Sequence, residues 1–96
     1  MKKESNKIVV GKVTDEERNE IRLLFERKNG LNELFRSLND PKHPLYERIV
    51  RDMGDTATKF QKWWDEKSVK YNWKSAKGGH WEIDFNTCEI KLVKSA

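Results

Sequence analysis

Ninety-six residues leave room for one domain, 35% hydrophobic and 38% charged against a usual charged share of about 25%, yet four Trp, four Phe and two Tyr separate it from aromatic-poor disordered chains. Of the net charge of +4, the first fourteen residues supply four Lys against one Glu, and the remainder carries both signs interspersed, unlike the concentrated basic face of a specific nucleic-acid binder. No apolar run approaches the roughly 20 residues of a membrane span, one cysteine excludes an internal disulfide, and Lys2-Lys3 runs into Glu4-Ser5-Asn6 without the apolar core of a secretory signal, so a cytoplasmic protein is expected.

Residues 1–7 are polar and unpatterned, which predicts a flexible tail and leaves 8–96 as the single domain. Ile8-Val9-Val10-Gly11-Lys12-Val13 is β-branched and short, the pattern of a strand. Thr14-Asp15-Glu16-Glu17 then matches a capping box, with the Thr14 hydroxyl and the Glu17 carboxylate each able to satisfy the other's backbone amide. Apolar residues follow at Ile21, Leu24, Phe25, Leu31, Leu34, Phe35 and Leu38, a helical stripe over about 15–39, with a kink or break allowed at Gly30. Pro41 and Pro44 enforce a turn. A second stripe runs through Tyr46, Ile49, Val50, Met53, Ala57, Phe60, Trp63 or Trp64, and Tyr71, predicting a helix over about 44–70 that is continuous or broken near Gly54.

After the Lys74–Gly79 loop the period changes to two. His80 to Phe85 alternates, as does Cys88 to Leu92; a turn at Asn86-Thr87 sets Trp81 opposite Leu92, Ile83 opposite Ile90 and Phe85 opposite Cys88. Thr87 tolerates positive φ poorly, which leaves a longer loop open. A lone hairpin is marginal in water, and 8–13 is the natural third strand. The fold class is therefore α+β: two antiparallel helices packed on a small antiparallel sheet, in the order β-α-α-β-β.

Chemistry-bearing constellations are few. His80, Glu82 and Asp84 share one outward face, which a charged edge strand explains as well as a metal does. Cys88 points to the apolar face as a small hydrophobe, and His43 lies far from it in sequence. No catalytic residue, metal site or cofactor is expected. Adjacent helical residues diverge by about 100°, so Trp63 and Trp64 cannot share one seam. The run Met53, Ala57, Phe60 continues to Trp64, which makes Trp63 the outward ring, with Lys59, Lys62 and Lys67 as a polar rim: the candidate partner-binding residues. A rival reading takes Lys59, Lys62, Lys67 and Lys70 with the basic tail as a nucleic-acid surface, although Asp65 and Glu66 interrupt that stripe.

Three stretches carry a family resemblance: LLFERKNGLNEL (Leu23 to Leu34), DMGDTATKFQKWWDEKSVKYNW (Asp52 to Trp73) and GGHWEIDFNTCEIKL (Gly78 to Leu92). Together they resemble the small CXXX repeat peptide modification system proteins. The resemblance implies a bacterial gene set with a cysteine-repeat precursor peptide and a radical-SAM maturase. This chain has neither the repeats of the precursor nor the cysteine cluster of an iron–sulfur maturase. The expected function is thus a non-catalytic accessory binding protein that contacts the precursor peptide or its maturase, with a small nucleic-acid-binding regulatory protein as the alternative. A homodimer through the helices is compatible with either.

Overall fold

The computed structural model describes residues 7–94. It runs β1 (Lys7–Lys12), α1 (Asp15–Leu38), α2 (Tyr46–Tyr71), β2 (His80–Asp84) and β3 (Glu89–Val93), the β-α-α-β-β order of an α+β fold. Of the expected tail 1–7, Lys7 opens β1 and the rest lies outside the described residues. The capping box forms reciprocally: the Thr14 amide donates to Glu17 Oε1 at 2.9 Å, and the Glu17 amide donates to Thr14 Oγ1 at 3.0 Å. Both helices run unbroken through Gly30 and Gly54, where an added Cβ would meet nothing within 4 Å. Each helix stops at an asparagine in the left-handed region, Asn39 (φ 52°) and Asn72 (φ 51°), a conformation that ends a helix and that Asn tolerates better than most residues bearing a Cβ.

The chain divides into two compact units, one of Glu20–Glu66 and one of the segments before and after it. The first is an antiparallel helix hairpin whose seam repeats every three and four residues. On α1 it follows Ile21, Leu24, Lys28, Leu31, Phe35 and Leu38; on α2 it follows Tyr46, Ile49, Met53, Thr56, Phe60 and Trp63. Ile21, Leu31, Ile49, Thr56 and Trp63 are buried. Ring contact between Phe35 and Tyr46 (centroids 5.4 Å apart) closes the tip, and the Arg27 Nε donates to Thr56 Oγ1 at 3.2 Å while its guanidinium lies 3.9 Å from Asp52.

In the second unit the sheet order is β1-β3-β2, antiparallel throughout. Trp81 pairs with Leu92 and Ile83 with Ile90, as the alternation requires. Ile90 and Leu92, on the central strand, are fully buried with Val13, Trp73 and Cys88 around them in the same core. On β1 the register shifts between Val9 and Gly11, leaving Val10 as the extra residue of a bulge. Gly11 there is a packing requirement: a Cβ would sit 2.7 Å from the Trp73 Nε1.

The expected Phe85–Cys88 pairing does not form. Residues 85–88 make the turn, with the Cys88 amide donating to the Asp84 carbonyl at 2.8 Å and Cys88 itself at φ 65°. A two-residue turn would have needed positive φ at Thr87, whose branched Cβ resists it, so the left-handed residue falls at Cys88 instead. Asp84 Oδ1 holds the turn by accepting from the Asn86 amide at 2.9 Å.

Candidate functional site

The two tryptophans exchange the places expected of them. Trp63 is buried at 5% exposure and Trp64 is half-exposed, their rings meeting edge to face at 4.9 Å. The seam of α2 follows Ile49, Thr56 and Trp63 rather than Val50, Ala57 and Trp64. Thr56 takes the inward place with its hydroxyl accepting from Arg27, so that its own buried oxygen is satisfied. Trp63 is therefore not an outward ring. Of its expected rim, Lys59 is exposed, Lys62 is exposed and 4.0 Å from Glu66, and Lys67 turns inward to Glu17. The structure does not bring the four together as a surface.

Glu17 gathers four polar partners. Its Oε1 accepts from the Thr14 amide and from the Tyr71 hydroxyl at 2.5 Å; its Oε2 accepts from Lys70 Nζ at 2.7 Å and lies 3.8 Å from Lys67 Nζ. Burial alone would raise its pKa. Lys70, the Thr14 amide and Tyr71 outweigh that and hold the carboxyl down at about 2. The phenol of Tyr71 is correspondingly raised by its hydrogen bond to Glu17. This cluster ties the first turn of α1 to the last turns of α2. The sequence contained a signal for it, since the α1 seam extends back from Ile21 to Glu17 and the α2 seam forward from Trp63 to Lys67 and Lys70.

On the outer face of the sheet, His80 Nε2 lies 3.2 Å from Glu82, Lys7 Nζ 3.2 Å from Glu82, and Lys91 Nζ 3.8 Å from Asp84. His80 first and Lys7 second lower the Glu82 pKa; the Asn86 amide lowers that of Asp84. These carboxylates are engaged with cations and a turn, and among the described residues no group of three His, Cys, Asp or Glu could hold a metal ion. Cys88 Sγ lies 3.4 Å from Asp15 Oδ1, and burial, with that carboxylate, pushes its thiol pKa up.

The edges of the sheet differ. β2 presents His80, Glu82 and Asp84, a charged strand of the kind that discourages pairing. On β1, Ile8 is 41% and Val9 54% exposed, beside the bulge at Val10. Sequence reasoning identified the strand but could not place it at an edge. A shallow cleft of about 430 Å³ at the hairpin tip is lined by Phe35, Arg36, Asn39, Pro41 and Tyr46. Among the described residues no helix is long and apolar enough to cross a membrane. In comparisons with protein families, curated proteins and solved structures, nothing matches the chain.

Proposed function

We propose that this chain is a non-catalytic accessory binding protein of a ribosomal-peptide modification system, and that it takes the precursor peptide as an added strand on β1. The observation that carries this reading is the exposed apolar edge: Ile8 and Val9 lie open on a strand bonded to β3 on one side only. An unpaired edge offers a row of backbone donors and acceptors, and strand addition uses these more than particular side chains. The resemblance to the CXXX repeat peptide modification system proteins supplies the context, a bacterial cytoplasm with a cysteine-repeat precursor and its maturase. Glu17, its carboxyl held down at about 2, has its oxygens committed to three hydrogen-bond donors with Lys67 3.8 Å away, and burial raises the Cys88 thiol pKa; neither supports a catalytic role. The nucleic-acid alternative is weakened because Lys67 and Lys70, half of its proposed stripe, face Glu17.

The test is an amide NMR titration of the full chain with a reduced synthetic peptide bearing Cys at every fourth position. The amides of Ile8 to Val10 should shift, the affinity should change little between about 50 and 500 mM salt, and Val9→Lys should weaken binding about tenfold while the spectrum stays folded. Shifts confined to other segments, or a DNA duplex that binds more tightly with a steep salt dependence, would refute the reading.

A further inference from the structure

The apolar stripe of α2 is wider than the seam it shares with α1. One place after each of Ile49, Thr56 and Trp63 come Val50, Ala57 and Trp64; on α1 the matching column holds Phe25 after Leu24 and the polar Asn32 after Leu31. Val50 is 44% and Phe25 40% exposed, Ala57 is exposed and Trp64 half-exposed. A two-stranded seam needs apolar residues only at its two repeating positions, whereas a third apolar column marks helices that pack in a bundle. In an antiparallel hairpin the two columns adjoin and form one flank, apolar along α2 and at Phe25 of α1. The opposite flank, Leu34 apart, carries Glu20, Arg27, Asp52, Lys59 and Glu66, and is bridged by Arg27 and Asp52. One flank is therefore built for water and the other for a partner.

We propose that two copies of this chain associate through the Phe25–Val50–Ala57–Trp64 flank, so that their hairpins form a four-helix bundle. The charges bordering the flank favour a second copy. Its outer column on α1 holds Arg22, Asn29 and Arg36, and its outer column on α2 holds Glu47, Gly54 and Gln61. A twofold axis parallel to the helices sets α1 of one copy on α2 of the other. Arg36 then meets the partner's Glu47 and Trp64 meets the partner's Phe25, each contact occurring twice by symmetry. Both side chains of the aromatic pair lean toward the N-termini of their helices, which brings the two rings to the same height. Gly54 and Ala57, small residues near the centre, let the helices approach. A twofold across the helices would oppose Arg36 to Arg22 and is disfavoured by charge.

Sedimentation velocity on the full chain from about 5 to 500 µM tests this, with an expected dissociation constant on the order of micromolar for a small interface. Val50→Glu and Ala57→Lys, both at exposed positions, should each yield monomer while circular dichroism stays unchanged. Arg36→Glu should weaken the dimer about tenfold, and Arg36→Glu with Glu47→Arg should restore it. A chain that is monomeric throughout overturns the proposal, leaving the flank to a different partner. A dimer insensitive to both flank substitutions, or unrestored by the charge exchange, overturns it equally.

Discussion

Glu17 shows how one buried carboxylate joins two chain segments and what that joining costs in acid. Its ordinary pKa near 4.5 falls to about 2 in the fold because Lys70, the Thr14 amide and Tyr71 outweigh burial. A carboxyl depressed on folding stabilises the native state above its unfolded pKa, and that stability drains away as pH falls from about 4.5 toward 2; the contribution is about 3 kcal/mol. Glu17→Gln should therefore lose most of that amount at pH 7 and show a flatter acid limb in urea unfolding between pH 4.5 and 2. An unchanged limb would assign the acid sensitivity to other carboxylates. Gly11 is the second residue whose identity is dictated. The Trp73 ring against it is buried, so Gly11→Ala must displace the ring or the strand, at about 1–3 kcal/mol in thermal or urea unfolding. The capping role of Glu17 was readable from Thr14-x-x-Glu17, and its hold on Lys70 and Tyr71 was not, because that depends on which turn of α2 lies beside it.

Among the elements, α2 separates what pattern can decide from what it cannot. Its existence, length and continuity follow from the stripe, but two phases compete. Val50, Ala57 and Trp64 are uniformly apolar; Ile49, Thr56 and Trp63 include a hydroxyl. The second phase faces α1 because Thr56 has Arg27 as a donor there, a pairing between helices that no reading of one helix can see. The same shift moves the candidate binding ring from Trp63 to Trp64. By contrast the β2–β3 register was legible, since a one-residue slip would turn Trp81, Ile83, Ile90 and Leu92 all to the wrong face. The order β1-β3-β2 was not, because it rests on contacts between the two ends of the chain. Helix continuity yields a clean prediction. Gly30 and Gly54 have ordinary helical backbone and open space at the Cβ position within one chain, so Gly30→Ala should raise stability by about 0.5–1 kcal/mol, measured by urea midpoint, and Gly54→Ala should do the same at protein concentrations low enough to keep the chain monomeric. At high concentration the gain at Gly54 should shrink or reverse, because the proposed bundle uses its missing side chain for close helix approach, and a gain independent of concentration would count against that approach.

For the molecule as a whole, chain topology orders the folding events. The Glu20–Glu66 hairpin joins neighbouring helices through a short turn, whereas the sheet must pair Lys7 with Val93 and Lys12 with Glu89 from opposite ends of the described chain. Loop closure for that pairing is unfavourable until α1 and α2 have formed and shortened the path between the ends. The hairpin should accordingly be structured in the folding transition state and the sheet should not. Two matched substitutions decide this, Ile49→Val in the hairpin and Ile90→Val in the central strand, each buried and each worth about 0.5–1.5 kcal/mol at equilibrium. In stopped-flow chevrons Ile49→Val should act mainly by slowing folding, and Ile90→Val mainly by speeding unfolding. If Ile90→Val instead slows folding by its full equilibrium effect, the end-to-end sheet is already paired at the barrier and local helix pairing does not lead.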